Sequence, residues 1–242
     1  MKICLVTTFF PPLHFGGDAV CVAHLANALA RRDHEVHVVH CADSFELLRQ
    51  GASPSPLPLD ERIQVHVLKS RWGFLSPTFT HITGRPVLKR KQLIDVFSRG
   101  FDVVHWHNVS LVSGPGAFHL SSGIQLCTVH DYWLLCPTSI LFKYNREICQ
   151  KKDCIRCCVA HHRPPQLWRY GSTLQNGLSH IDHFITPSRY VHDKLLNSGL
   201  RDTATILPHF VPKVVPPDAE QPRNYYLYVG RLVRAKGLQT LL

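Results

Sequence analysis

Two short apolar runs in this chain end in histidine: Asp102-Val103-Val104-His105-Trp106-His107-Asn108 and Cys127-Thr128-Val129-His130-Asp131-Tyr132-Trp133. Ligands of open parallel sheets gather at the carboxyl ends of the strands, so side chains emerging there are placed to meet a substrate. His130 is the candidate for chemistry, as a hydrogen-bonding group or general base toward a sugar or hydroxyl substrate. His105, His107 and Asp131, on the same two runs, would line the cleft on the acceptor side. The chain has 17 histidines, and a histidine at a strand end can equally be a satisfied polar group, so both readings stand.

A second chemical signal lies near the C-terminus. Tyr225 to Val229 is an aromatic and β-branched run suited to a buried strand, Gly230 to Gly237 is a turn carrying Arg231 and Lys236, and Leu238 to Leu242 has helical character. Strand, cationic turn and helix start form a corner able to bind a diphosphate. A smaller signal is Gly16-Gly17, just ahead of a helix, where the backbone can approach a ligand and the helix N-terminus favours an anion. No G-x-G-x-x-G accompanies it, so a dinucleotide site of that type is not expected, and an ordinary tight turn remains an alternative.

Five of the nine cysteines fall in one polar loop: Cys136, Cys149, Cys154, Cys157 and Cys158. Cys154 and Cys157 form a C-x-x-C pair, and with Cys136 and Cys149 they could supply four thiolates to a structural zinc. A redox-sensitive staple and free thiols in a substrate-facing loop are the competing readings. The odd count, and the apolar settings of Cys4, Cys21, Cys41 and Cys127, favour a reduced cytoplasmic compartment.

The formal charge of +10 calls for anionic partners. Between Lys69 and Arg99 stand seven basic residues and a single acid, Asp95, interleaved with Trp72, Phe74, Phe79 and Phe97. Such a surface can make peripheral contact with anionic headgroups at the inner face of a membrane, or it can be a solvated helix face. Nucleic acid is not expected as a partner, because no recognition motif accompanies the charge. No apolar run reaches the roughly 18 residues that a spanning helix needs.

These groups need a scaffold, and hydrophobic patterning supplies one. Strands are expected at Ile3 to Thr7, Val36 to Val39, Ile63 to Val67, Val103 to His107, Gln125 to Val129, His183 to Thr186 and Thr205 to Leu207. Helices are expected at Asp18 to Arg32, Pro86 to Arg99, Gln166 to His180 and Ser188 to Ser198, the last capped by Ser188. The alternation implies an α/β fold, a Rossmann-like parallel sheet flanked by helices. It divides into residues 1–207, a Pro-rich linker at 208–224, and the truncated start of a second Rossmann-like domain at 225–242.

Thr7-Thr8-Phe9-Phe10-Pro11-Pro12 with Gly16-Gly17, then Asp102-Val103-Val104-His105, Thr128-Val129-His130-Asp131, Pro187-Ser188 and Val229-Gly230-Arg231-Leu232 through Lys236-Gly237 together resemble, in order, the landmarks of family 4 retaining glycosyltransferases. The resemblance implies a GT-B fold with its active site between two Rossmann-like domains, the first of them complete here. It implies that Gly16 and Gly17 approach donor and acceptor, that His130 lines the reaction centre, and that Arg231 and Lys236 hold the diphosphate of a nucleotide-sugar. The acceptor would be a glycan or a lipid-linked molecule, and no metal is required. Negative charge builds on the departing diphosphate, and two preorganised cations there favour the transition state over the ground state.

Members of that family also carry a Glu, seven residues, Glu motif in the second domain. No two of the five glutamates here have that spacing, so the chain is expected to lack a complete donor site and its gene to continue with about 130 to 170 residues of α/β domain. Two alternatives accompany the enzyme reading. One is a non-catalytic acceptor-binding protein that needs a separate donor domain; the other is a sugar-nucleotide epimerase.

Overall fold

The structure is a computed structural model that describes residues 1–199, 204–210, 224, 226–230 and 232–241. Its centre is a seven-stranded, wholly parallel sheet. The strands are β1 (Lys2–Val6), β2 (Glu35–Cys41), β3 (Gln64–Leu68), β4 (Val103–Trp106), β5 (Ile124–Thr128), β8 (His183–Thr186) and β9 (Ala204–Ile206), in the order β3-β2-β1-β4-β5-β8-β9. A two-stranded hairpin, β6 (Phe142–Lys143) and β7 (Glu147–Ile148), stands apart in the cysteine loop.

Alternation along β1 feeds two cores. Ile3 and Leu5 face helix α1 (Gly17–Ala30), whose Val22, Ala23, Ala26 and Ala30 form a narrow buried stripe. Small residues there let the helix lie close to the sheet. Cys4 and Val6 face the other way, into a core with Trp106, Phe118, Phe97 and Leu93. Trp106 is fully buried, packs on Phe97 and Phe118 at ring separations of 5.6 and 4.9 Å, and donates its indole N–H to Gln125 Oε1 at 2.5 Å. A buried Trp whose N–H is satisfied fixes the level of β4 against β5.

The chain winds outward from β1 to β2 and β3 on one side, and from β4 to β5, β8 and β9 on the other. The crevice between β1 and β4 is therefore the topological switch point, the expected ligand position in such sheets. The seven strands expected between Ile3 and Leu207 all form, with ends shifted by a few residues. Helix α7 (Arg189–Leu196) is capped as anticipated, Ser188 Oγ accepting the Val191 N–H at 3.4 Å.

Several expectations need correction. The helix placed over Pro86 to Arg99 is shorter, α4 (Arg90–Phe97), because Pro86 and buried Lys89 occupy its approach. The long helix at Gln166 to His180 is instead a 3-10 turn (Leu167–Tyr170) followed by α6 (Thr173–Leu178), broken where Gly171 adopts extended backbone. Helices α2 (Ala42–Leu48), α3 (Leu75–Thr83) and α5 (Cys154–Ala160) were not anticipated. Residues 226–229 do not form a strand; Tyr226 is 95% and Val229 85% exposed. A strand needs a ladder partner, and none is provided for them among the described residues. The turn and helix beyond are present as a 3-10 turn (Arg234–Lys236) and α8 (Leu238–Leu241).

Candidate functional site

Parallel register brings the carboxyl ends of β1, β4 and β5 to one edge, with Leu5 beside His105 and His105 beside Leu126. Period two puts His105 and His107 on the α1 side of the sheet while Trp106 enters the opposite core. With ring centres 4.1 Å apart and planes tilted by 35°, the two imidazoles are both buried. His105 Nε2 is hydrogen-bonded to Thr128 Oγ1 at 2.7 Å. His107 Nδ1 is 2.8 Å from His130 Nε2, and His130 Nδ1 is 3.3 Å from His209 Nε2, giving a line of three imidazoles. His209 lies flat against His130, with ring centres 4.8 Å apart, and its Nδ1 reaches Cys21 Sγ of α1 at 3.6 Å.

Burial decides the charge on this line. It lowers His105 to about 3 and His130 to about 4, His209 adding to the effect on His130, and it holds His107 well below the ordinary imidazole value. At neutral pH the imidazoles are therefore uncharged, each able to donate from one nitrogen and accept at the other. Asp131 moves the opposite way, raised to about 6 by burial, although its Oδ1 accepts the Trp133 N–H at 2.7 Å. His107 Nε2 is buried without a hydrogen-bond partner.

The loop after β1 closes the near side. Thr8 donates its N–H to Asn108 O, Asn108 Nδ2 donates to Asp18 Oδ2 at 3.0 Å, and Asp18 lies in the first turn of α1, where the helix dipole favours a carboxylate. Gly16 caps α1 in extended backbone that any residue adopts. A side chain at Gly17 would meet nothing within 4 Å, and one at Gly16 only Asp18 Oδ1 at 3.5 Å. The fold itself does not demand glycine at either position.

His105, His107, His130 and Asp131 are thus gathered at one sheet edge, with Gly16 and Gly17 in the exposed loop that heads α1. Lys236 stands exposed on its 3-10 turn, and among the described residues no hydrogen bond joins it to the histidines. Arg231 lies outside the described residues. His209, Asp18, Asn108 and Cys21 were not anticipated. His209 falls in the stretch read as a Pro-rich linker, and only its proximity in space reveals it.

The cysteine loop does not assemble the expected four-thiolate set. Cys136 Sγ pairs with Thr138 Oγ1 at 3.2 Å, Cys157 Sγ accepts the Tyr144 N–H at 3.5 Å, and Cys149 Sγ faces the Lys151 carbonyl at 3.9 Å. Burial pushes the thiols of Cys149, Cys154 and Cys158 up, which favours the protonated form. All nine cysteines are free, and among the described residues no group of three or more His, Cys, Asp or Glu side chains is placed to hold a metal ion.

A parallel sheet with a crevice at its switch point and a polar cluster at the strand ends defines a Rossmann-like domain. Residues 15–214 match the sequence profile of Glycosyltransferase Family 4, and the chain belongs to that family. Its sheet corresponds to the N-terminal Rossmann-like half of the family's GT-B fold. Comparison with curated protein sequences gives no significant match. Among solved structures it is similar to the sucrose-phosphate synthase of Thermosynechococcus elongatus, with 12% identity, a TM-score of 0.46, and coverage of 86% of this chain and 47% of that one. It is also similar to TcCGT1 in complex with UDP, with 13% identity, a TM-score of 0.40, and coverage of 90% and 53%. The chain therefore spans about half the length of these structures.

Proposed function

We propose that this chain is the acceptor-side portion of a retaining glycosyltransferase that moves a sugar from a nucleotide-sugar to a glycan or a lipid-linked acceptor. Residues 1–207 would form the acceptor domain, 208–224 the linker, and 225–242 the start of the donor domain. The observation that carries this reading is the line of neutral imidazoles at the switch-point edge, beside a glycine pair that the fold itself does not require. With its titration at about 4, His130 serves as a neutral hydrogen-bond partner to a sugar hydroxyl rather than as a strong base. Gly16 and Gly17 leave the backbone open to the donor and acceptor. Arg231 and Lys236 would take the charge of the departing diphosphate, an interaction whose loss costs on the order of 3 kcal/mol in comparable sites.

A peripheral position at the inner face of a membrane is the accompanying proposal, with the rest of the protein in the cytoplasm. Trp72, Phe74, Phe79 and Ile82 are exposed on and beside α3, next to Arg71 and Arg85. No helix among the described residues is long and apolar enough to cross a membrane.

The test uses the full-length gene product with a panel of nucleotide-sugars, with and without glycan and lipid-linked acceptors. Transfer with retained anomeric configuration is expected. Lys236→Ala should abolish transfer without unfolding the protein, and unchanged activity in that variant would remove the donor-site assignment. Conversion of a nucleotide-sugar without any acceptor would point to an epimerase instead.

A further inference from the structure

A cavity of about 290 Å³ lies between the loop after β5, helix α5 and the 3-10 turn Leu167–Tyr170. Its walls include Leu134, Leu135, Pro137, Ile155 and Leu174, and Arg169 lines it. The volume is at the low end for small-molecule sites, suited to a compact ligand or to the head end of a longer one. The Arg169 guanidinium lies 4.9 Å from the ring centre of Trp133 and 4.6 Å from that of Trp168. Its Nε donates to Gln166 Oε1, its Nη2 to the Trp133 carbonyl at 2.7 Å and its Nη1 to the Leu134 carbonyl at 3.3 Å.

A guanidinium has five N–H donors, and these bonds use three. Among the described residues no carboxylate forms an ion pair with Arg169. Burial lowers its titration to about 10, so it stays charged at neutral pH. The cavity thiols Cys154 and Cys158 are pushed up by burial and do not provide the counter-charge. Asp131, raised to about 6 and therefore ionised at neutral pH, acts on Arg169 from a distance, but it is engaged by the Trp133 N–H and makes no direct ion pair with the guanidinium. A largely buried cation without a directly paired anion is costly. The bonds to the Trp133 and Leu134 carbonyls would suffice for a structural clamp, but a clamp does not account for two spare donors and the absence of a directly paired anion beside an apolar cavity.

We propose that this cavity binds an amphiphile whose anionic head, a phosphate or a carboxylate, pairs with Arg169 while its alkyl chain lies against Leu134, Leu135, Ile155 and Leu174. Planar oxyanions suit the fork of a guanidinium, and the charge-assisted bonds are stronger than neutral ones. The inference goes beyond the transferase reading and does not depend on it, because binding is measured directly.

The experiment titrates the chain with octyl phosphate, octanoate, octanol and inorganic phosphate below any micelle concentration. Heat and the fluorescence of Trp133 and Trp168 are followed. Saturable binding of octyl phosphate or octanoate is expected, with octanol and inorganic phosphate weaker by about tenfold or more. The tighter of the two anionic probes names the head group. Arg169→Met should remove the preference for an anionic head over octanol. Because Arg169 also holds two carbonyls, Ile155→Trp provides an independent arm: Ile155 lines the cavity, so the larger ring should occupy it and abolish binding, and at 45% exposure the substitution leaves circular dichroism native. Failure of both anionic probes to bind the wild-type chain, or binding unchanged by Ile155→Trp, overturns the proposal.

Discussion

The histidine cleft and the Arg169 cavity bury ionisable groups to a similar degree and end with opposite electrostatics. Imidazole titrates near neutrality, so burial neutralises His105, His107 and His130 and leaves groups that can both donate and accept. Guanidinium starts so high that burial, although it lowers Arg169 to about 10, leaves the charge in place. One region presents neutral groups that donate and accept hydrogen bonds, the other a fixed positive charge. Residue type, more than depth, sets that difference.

The largest expected effect tests the dry, neutral state of the cleft. For His130, a folded value of about 4 against an ordinary 6.5 means that the unfolded chain binds more protons between those values. Stability is therefore lost as pH falls through that window, by roughly 3 kcal/mol for this residue alone. His105, His107 and His40, the last also lowered to about 4 by burial, act in the same direction. Asp131 opposes them: its raised value makes its contribution full below about 3.8 and lost as pH rises through about 6. Four imidazoles outweigh one carboxyl. Urea unfolding at neutral pH and at about pH 4.5 should show a loss of several kcal/mol at the acid end. A flat profile would mean that water reaches the imidazoles, and the contrast with Arg169, which stays charged throughout, would collapse.

Next in size is a change confined to the cavity side. Gly84 ends α3 at φ +68°, and a Cβ there would stand 2.8 Å from the Trp168 ring. Trp168 is held by its N–H to the His81 carbonyl at 2.9 Å and lies against Arg169. Gly84→Ala should therefore cost about 2 kcal/mol through backbone strain and a displaced indole. It should also shift tryptophan emission, while the slope of stability with pH stays as in wild type. A changed slope would show that cavity and cleft are one coupled unit.

Asp18→Asn probes the cleft more gently. The amide keeps a partner for Asn108 but removes a charge that raises His130 and His209. Both imidazoles should titrate lower in NMR, with a stability change of about 1 kcal/mol or less. If His130 does not move, Asp18 does not act on the imidazole line.

How much of this was legible in the sequence follows from the range of each signal. Strands such as Ile3 to Thr7 and Val103 to His107 advertise themselves because a parallel strand buried on both faces is an unbroken apolar run. His105, His107, His130 and Asp131 were found for the same reason, as polar residues that end such runs. His209 was not, since a histidine between Pro208 and Phe210 has no period to mark it, and its place on His130 is made by the path of the chain after β9. Arg169 sat inside an expected helix that Gly171 interrupts, and its lack of a direct ion pair is a property of three-dimensional neighbours alone. The cysteine loop is less legible: C-x-x-C spacing suggested a metal, while the Cys157 Sγ accepts the Tyr144 N–H, a contact that spacing alone does not mark.

The smallest expected effect concerns the cationic turn. Lys236 is exposed on its 3-10 turn, with no ion pair among the described residues, so Lys236→Ala should leave the urea midpoint within about 0.5 kcal/mol of wild type. That near-silence is informative beside Arg169. A buried cation already holds backbone carbonyls and cannot be removed without structural cost, whereas an exposed one can be spent wholly on a ligand. If the proposed diphosphate contact is right, the same substitution that leaves unfolding unchanged removes transfer in the full-length protein. A stability loss well above 0.5 kcal/mol would instead give Lys236 a structural role and leave Arg231 as the remaining candidate for the diphosphate.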